Sequence, residues 1–182
     1  GVVGFDPWLH TADEIAKLET GLAGSGVSLR AVENMVDRIW ADQPGAPMGR
    51  AFAHADEIAG ETSGSKRARL AGGLRKAGQS AAVITLPDSL CWLLNIRGAD
   101  VPRNPVLHGF AILHDDARVT LFADAAKFDE AVRAHLGEHV SLRPVAAFVP
   151  ALRTLQGAVR VDKGTAPLAV SLELEEAGIA VA

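Results

Sequence analysis

Apolar and polar positions along the chain fall into short blocks whose spacing switches between the strand period and the helix period. Residues 81–86 form a continuous apolar run of strand length, which is typical of a strand covered on both faces of a sheet. Similar runs recur between segments in which apolar residues lie three or four positions apart. The pattern predicts strands at residues 2–5, 27–32, 81–86, 107–113, 119–123, 140–142 and 159–161.

The segments between these strands carry helix-start and helix-stop signals. Thr11 and Glu14 have the spacing of a capping box, which predicts a helix that runs to Leu22. Asp88 and Asp124 are predicted N-caps, because a carboxylate there accepts hydrogen bonds from the first free N–H groups of a helix. The other predicted helices span residues 58–77, 87–94, 124–137, 144–156 and 165–177, and residues 34–48 are predicted to form a helical turn followed by a linker.

The order of these elements predicts the fold class. Strands alternate with helices along most of the chain, and residues 114–118 have the composition of a hairpin turn. Alternation of this kind is typical of a sheet covered by helices, and a hairpin adds an antiparallel pair to it. The sequence therefore predicts an α/β fold in which a mixed β-sheet is flanked by helices.

Composition narrows the classes of protein to which the chain can belong. Of its 182 residues, 48% are hydrophobic, which indicates a packed core rather than a disordered segment. The net charge of −4 lacks the basic surplus typical of nucleic-acid binding, and no apolar run approaches the roughly 20 residues that cross a bilayer. Cys91 is the single cysteine, so no internal disulfide can form. These features predict a cytoplasmic protein without nucleic-acid or membrane partners.

Both ends of the sequence are abrupt. The chain begins on a strand-like run without a Met, and it ends just after another apolar strand begins near Ile179. An isolated strand stub buries little surface. We therefore expect a fragment of a longer protein, the alternative being a processed chain with frayed ends.

A search for catalytic and metal-binding patterns finds none that is complete. His135 and His139 have the spacing of a helical metal site, but Gly137 breaks the helix between them. The glycine clusters lack the spacing or the position of a phosphate-binding loop, and no Gly-x-Ser-x-Gly nucleophile motif is present. Cys91 lies in an apolar segment, which predicts a buried and inert thiol. The sequence therefore predicts no metal ligand and no catalytic residue in this chain.

One polar loop, residues 95–105, is the strongest candidate for a binding site. It follows an apolar helix and combines charged and amide side chains with two prolines that stiffen the backbone. Its candidate contact residues are Asn95, Arg97, Asp100 and Asn104. Two interpretations stay open here: the loop contacts a ligand or another domain, or Arg97 and Asp100 pair with each other and only pin the loop.

Sequence blocks spread over nearly the whole chain carry a family resemblance. They read FDPWLHT at residues 5–11, ENMVDRIW at 33–40, LPDS at 86–89, WLLNIRGADVP at 92–102 and LF at 121–122. In this order they resemble the non-catalytic region of the aminopeptidase P (Xaa-Pro aminopeptidase) family. The NIRGAD block within them is a fairly specific signature.

The resemblance implies a creatinase N-terminal-like domain with a ribonuclease H-like sandwich, in an M24 metallopeptidase. Residues 1–53 would be the end of a first creatinase-like domain plus the linker, and residues 54–182 would be a second such domain. The family's C-terminal catalytic domain binds two metal ions, expected to be manganese, through two Asp, one His and two Glu. No segment of this chain resembles that domain, so no ligand is carried over and the chain alone is expected to be inactive.

The resemblance also implies a function. The chain would be a non-catalytic fragment of an enzyme that removes an N-terminal residue preceding proline, where it shapes substrate access and supports dimerisation. Its implied partners are its own C-terminal catalytic domain, a second copy in a homodimer, and proline-containing peptides. Arg97 would face the catalytic domain and donate to a carboxylate, with Asp100 orienting it. Arg103 departs from the family, which has His or Tyr there.

An alternative function is a stand-alone binding or regulatory module without peptidase activity. The two interpretations differ in the length of the reading frame beyond Ala182. A reading frame that continues for about 200–300 residues, the size of a further domain, would favour the enzyme. A small independent hydrolase is disfavoured, because neither a nucleophile nor a metal-ligand pattern is present.

Overall fold

A mixed six-stranded β-sheet forms the centre of the molecule in the computed structural model, which describes residues 1–182. The strands are β1 (Val2–Phe5), β2 (Ser28–Ala31), β3 (Ala51–Ala53), β4 (Gln79–Ile84), β5 (Ile96–Gly98), β6 (Phe110–His114), β7 (Val119–Phe122), β8 (Val140–Arg143), β9 (Ala158–Arg160) and β10 (Ala180–Val181). The large sheet has the order β10-β9-β4-β6-β7-β8. Because β4 pairs parallel with β9 and antiparallel with β6, the predicted α/β fold with a mixed sheet is confirmed.

β4 occupies an interior position in this sheet, as its apolar sequence predicts. Ala81 and Val83 pack in the apolar cluster on one face, whereas Ala82 and Ile84 pack against the cluster on the other. Both faces of the strand are therefore covered, which is why its apolar residues do not alternate with polar ones. The strand ends at Ile84, two residues earlier than predicted.

Helices cover the two faces of the sheet. They are α1 (Ala12–Leu22), α2 (Met35–Ile39), α3 (Asp56–Ala59), α4 (Ser63–Lys76), α5 (Pro87–Leu94), α6 (Glu130–Leu136), α7 (Phe148–Leu152) and α8 (Leu168–Glu176). On one face α5 and α6 contribute Leu90 and Val132 to an apolar cluster of 18 buried residues. On the other, α7 and α8 contribute Phe148 and Val170 to a cluster of 13. No helix combines the length and the apolar content that a membrane span requires.

Capping interactions explain where the helices differ from the prediction. The helix predicted at residues 58–77 is divided into α3 and α4, because Gly60 adopts a left-handed φ of 75° after α3 and Thr62 caps α4. Asp124 caps only one 3₁₀ turn. The α-helix predicted from there begins later, where the Asp129 side chain accepts a hydrogen bond from the backbone N–H of Val132.

The helix predicted at residues 87–94 is present as α5, but its predicted N-cap is wrong, and so is the start of the helix predicted at residues 144–156. Asp88 is not an N-cap: Leu86 takes that position and Pro87 is the first helical residue, where the fixed φ of proline suits a helix. Asp88 instead lies in the first turn, where its negative charge is still favourable to the helix dipole. The helix predicted at residues 144–156 contains a 3₁₀ turn, Val145–Ala147, followed by the five residues of α7.

The first 32 residues form a small β-α-β unit that is joined to the start of α8 by backbone hydrogen bonds. β1 and β2 pair parallel with each other and not with the other strands. The carbonyl groups of Pro7 and His10 accept hydrogen bonds from the N–H groups at the start of α8, Ala169 at 3.0 Å and Leu168 at 2.7 Å. The Trp8 ring lies 6.5 Å from the ring of Phe148. The division into domains at residue 53 stays a prediction.

Candidate functional site

The polar loop singled out in the sequence is built on a two-stranded ribbon. β5, which follows α5 directly, pairs antiparallel with β3. β3 lies in the segment that the sequence analysis assigned to the linker. The end of the linker therefore pairs with the start of the loop. The backbone N–H of Ala99 donates to the carbonyl of Arg50 at 3.1 Å, and that of His54 donates to the carbonyl of Asn95 at 2.8 Å. These bonds extend the ladder at both ends and fix the loop against the linker.

Asn95 connects three segments of the chain from a buried position. It ends α5 in a left-handed conformation with φ 49°, a region that Asn tolerates better than most residues. Its Nδ2 donates to Oδ1 of Asp56 at 2.7 Å and to the carbonyl of Glu61 at 2.9 Å. Its Oδ1 accepts from Nζ of Lys66 at 2.6 Å. Every polar atom of the side chain is therefore used inside the protein, and Asn95 offers nothing to a ligand.

Lys66 is a buried cation that meets neutral partners. Besides Asn95, its Nζ donates to the carbonyl of Trp92 at 2.9 Å, and it lies 4.5 Å from the centroid of the Trp92 ring. Burial lowers the pKa of the Lys66 ammonium, and the nearby Arg97 guanidinium lowers it further, whereas Glu61 opposes the shift. The side chain fastens α4 to the end of α5, directly before the loop.

Asp100 holds the middle of the loop. Its buried carboxylate pairs with Nζ of Lys127 at 2.8 Å and accepts hydrogen bonds from the backbone N–H groups of His108 at 2.7 Å and Gly49 at 2.9 Å. Burial alone would raise the pKa of the Asp100 carboxyl, but the Lys127 ammonium and these N–H groups together hold that pKa below its usual value. Asp100 therefore connects the linker, the loop and the 3₁₀ turn after β7.

Arg97 and Asp100 do not interact, contrary to both roles that the sequence suggested for them as a pair. The guanidinium Nη1 of Arg97 donates to the carbonyl of Ile96 at 2.8 Å, while all the contacts of Asp100 are directed to Lys127 and the backbone. Asp100 therefore neither pins the loop through Arg97 nor orients it. Arg97 is half-buried, and its guanidinium makes no ion pair with any carboxylate.

A tight turn forms the exposed tip of the loop. The backbone N–H of Asn104 donates to the carbonyl of Val101 at 3.1 Å, Pro102 occupies the second position, and Arg103 the third with φ 65°. This is the geometry of a type II turn, in which the third position needs positive φ and usually holds Gly. The Asn104 side chain is exposed and makes no hydrogen bond within the protein, so of the four candidates Arg97 and Asn104 stay available for contacts.

An open groove that the sequence did not indicate lies along the ribbon and the turn. The groove has a volume of about 430 Å³ and is lined by Phe52, Gly98, Ala99, Val101, Pro102, Arg103, Asn104 and Pro105. Phe52 has 47% of its surface exposed to solvent, although large aromatic residues are usually mostly buried. The sequence does not indicate Phe52, because a strand of three residues is too short to show a periodic pattern. Only the pairing of β3 with β5 places Phe52 beside the loop.

Two further findings concern reactive groups. The Cys91 thiol is buried, as predicted, and its sulfur accepts a hydrogen bond from the N–H of Leu107 at 3.3 Å. Burial raises the pKa of this thiol, which disfavours the reactive thiolate. Nowhere in the chain do three or more His, Cys, Asp or Glu side chains gather in a group that could hold a metal ion.

Most of the chain is similar to known proteins. Residues 42–181 match the model of the family described as Creatinase/Prolidase N-terminal domain. A Probable Xaa-Pro aminopeptidase P of Coccidioides posadasii (strain C735) is 41% identical over 160 residues, which are 86% of this chain and 24% of that protein. The protein of the same name from Leptosphaeria maculans is 36% identical over 155 residues, or 85% of this chain and 26% of that protein.

A solved structure is similar along the entire chain. The crystal structure of X-prolyl aminopeptidase from Caenorhabditis elegans, described as a cytosolic enzyme with a di-nuclear active site, superposes with a TM-score of 0.86 at 29% identity. The match covers 100% of this chain and 31% of that one. The chain thus spans about a quarter of the length of the curated relatives and about a third of the solved one.

Proposed function

Because the chain belongs to the creatinase/prolidase N-terminal domain family, we propose that it is the non-catalytic N-terminal region of a proline-specific aminopeptidase. Such an enzyme removes the N-terminal residue that precedes a proline. The observation that carries the proposal is the similarity over the whole chain to part of an X-prolyl aminopeptidase, together with relatives named as Xaa-Pro aminopeptidases. The polypeptide beyond this region would form the catalytic domain.

The proposed role of this region is to form one wall of the active site, so that only short peptides can enter. Support comes from how the loop is built. Asn95 at the start of the loop and Asp100 in its middle are used entirely in fixing it, so the exposed turn and Arg97 stand on a rigid base. A rigid base suits a contact surface, because little conformational entropy is lost when it binds. The two metal ions, which we propose to be manganese, would lie in the catalytic domain.

We also include in the proposal a homodimer and a cytoplasmic location. The similar enzyme from Caenorhabditis elegans is described as cytosolic, which supports the location by likeness. Proline-containing peptides are the proposed substrates of the complete enzyme.

Arg97→Ala in the polypeptide that includes the catalytic domain tests the role of the loop. We expect kcat/KM for an Xaa-Pro peptide to fall about tenfold, which is about 1.4 kcal/mol of transition-state binding. The melting temperature should change little, because the only hydrogen bond of the guanidinium is to the carbonyl of the preceding residue. Kinetics and thermal unfolding are measured on the same preparation.

Arg143→Ala is the matched control for this experiment. Arg143 is also a strand arginine without a carboxylate partner, but it lies in β8, at the edge of the large sheet. Its removal should leave both kcat/KM and the melting temperature unchanged. Normal kinetics of Arg97→Ala together with a melting temperature several degrees lower would show that Arg97 is only a structural residue.

A further inference from the structure

The short helix α2, which lies between β2 and the linker, exposes all of its apolar side chains. Four large apolar residues of α2 and its C-terminal end each have between 46% and 80% of their surface in solvent: Met35, Val36, Ile39 and Trp40. None of them belongs to the two apolar clusters of the protein or packs against one. We call these four residues the α2 patch. Exposed apolar residues are ordinary when they are scattered singly, whereas a group of them is typical of an interaction site.

α2 is too short to keep its helical conformation without a partner. It has five residues, whereas isolated helices shorter than about 12–15 residues are marginal in water. Its cap is local, since Oδ1 of Asn34 accepts hydrogen bonds from the N–H groups of Val36 at 2.9 Å and Asp37 at 3.2 Å. The apolar residues of the helix lie on one side, and Asp37 and Arg38 lie on the other. Such a helix is stabilised mainly by packing of its apolar side, and residues 1–182 supply no such packing.

The size of the α2 patch distinguishes between kinds of partner. A stable interface between separate proteins involves about 20–30 residues on each side, whereas the patch offers four apolar side chains. A part of the same polypeptide can be held by fewer contacts, because the covalent connection spares it most of the loss of translational and rotational freedom. The patch therefore suits a further domain of the same polypeptide better than a second copy of the chain or a separate protein.

The relatives contain such a further part, and the linker leads from α2 to the side of the molecule where we propose that it lies. This chain covers 24% of the relative from Coccidioides posadasii and 31% of the enzyme from Caenorhabditis elegans. Beyond α2, the linker ends against the polar loop, where the N–H of Gly49 donates to Oδ1 of Asp100 at 2.9 Å. Met48, directly before Gly49, is again an exposed apolar residue. Under the proposed function, the loop contacts the catalytic domain.

We propose that the α2 patch packs against the catalytic domain of the complete polypeptide, which makes α2 a docking helix. The inference rests on the proposed function, because that function supplies the catalytic domain. Ile39 is the central residue of the patch: it follows Met35 by four positions and Val36 by three, so its side chain lies beside both on the helix surface. Ile39 is also the most exposed of the four residues.

Met35 is a chemical probe of this contact. The chain has two methionines, so peptide mass spectrometry can follow the oxidation of each by hydrogen peroxide. The reaction is compared between the 182-residue chain and the polypeptide that begins at Gly1 and continues through the catalytic domain, with free methionine as the internal reference. We expect Met35 to be oxidised about tenfold more slowly in the longer polypeptide, because a covered side chain reacts only when the contact opens.

Two outcomes of this comparison overturn the proposal. The first is an equal rate of oxidation of Met35 in the two polypeptides. The second is protection of Met35 in the 182-residue chain that rises with protein concentration, which would show that a second copy of the chain covers the patch.

Ile39→Glu locates the contact within the longer polypeptide. A carboxylate in an apolar interface is strongly unfavourable, so we expect the oxidation rate of Met35 to return to that of the 182-residue chain. Ile58→Glu is the matched control, because Ile58 also lies in a short helix, α3, and is exposed to 74%; it should leave the protection of Met35 unchanged. Full protection of Met35 in Ile39→Glu, or equal loss of protection in both variants, overturns the proposal.

The result is distinguishable from a failure of the proposed function. If the longer polypeptide cleaves Xaa-Pro peptides but Met35 is oxidised equally in both polypeptides, the docking inference fails and the function stands. If Met35 is protected but the longer polypeptide cleaves no Xaa-Pro peptide, the proposed function fails and the contact between α2 and the following domain stands.

Discussion

Asn95 and Asp100 are polar residues at positions where the sequence suggested contacts with a ligand, yet the protein uses both for its own structure. Each is buried and accepts or donates hydrogen bonds to segments distant in sequence, Lys66 and Lys127 among them. A buried polar group that loses its partner costs about 1–3 kcal/mol, and more if the group is charged. The hydrogen bonds of Asn95 and Asp100 therefore fix the position of the loop.

Asp100→Asn tests this at the level of one side chain. The substitution leaves the Lys127 ammonium buried without a counter-charge, which costs about 3–5 kcal/mol when a buried ion pair is broken. We expect the free energy of unfolding from urea denaturation to fall by that order. The control is Asp116→Asn at the exposed hairpin, where the carboxylate pairs with Arg118; a surface pair is worth at most about 1 kcal/mol. Equal losses in the two variants would contradict a structural role for the buried pair.

The pH dependence of stability gives a second test of Asp100. Its pKa is lowered in the folded protein, so its stabilising contribution is complete above the pKa of the unfolded state, about 3.9. That contribution is lost as the pH falls through the lower, folded-state pKa. We expect the difference in unfolding free energy between the parent and Asp100→Asn to be constant above about pH 5 and to shrink below about pH 4. A constant difference down to about pH 2 would contradict the lowered pKa.

At the scale of elements, two local signals in the sequence are confirmed, whereas the N-cap predicted at Asp88 is wrong. The capping box at Thr11 is present with both of its hydrogen bonds, and the apolar run at β4 is covered on both faces. The ribbon of β3 and β5 could not be predicted, since three residues carry no period and their pairing depends on contacts across about 45 positions. Because this pairing cannot be predicted, the sequence does not indicate that Arg50 and Phe52 lie beside the loop.

Gly49→Ala tests whether the linker is fastened to the loop as closely as the structure indicates. A Cβ on Gly49 would overlap the backbone carbonyl group of Ala99, so the two segments must separate. Overpacking of this kind costs about 1–3 kcal/mol. We expect a loss of that size in chemical denaturation. Gly45→Ala, in the same linker but with no atom within 4 Å of its added Cβ, should be neutral or slightly stabilising.

At the scale of the whole molecule, a sheet with an apolar cluster on each face supports a loop, a ribbon and a groove at one end. The α/β class could be predicted from the alternation of elements, and the blocks around residues 92–102 indicated the family that the comparisons identify. The groove could not be predicted, because it is made by the linker, the ribbon and the turn together. The central claim is that this fold supplies a contact surface and leaves peptide-bond chemistry to a separate domain.

The most direct test of that claim is hydrolysis of an Xaa-Pro peptide with Mn²⁺ added, measured for the purified 182-residue chain and for the polypeptide that continues into the proposed catalytic domain. We predict release of the N-terminal residue by the longer polypeptide and none by the chain alone. An unrelated protein purified in the same way sets the level of contaminating activity. Hydrolysis by the 182-residue chain above that level would contradict the central claim.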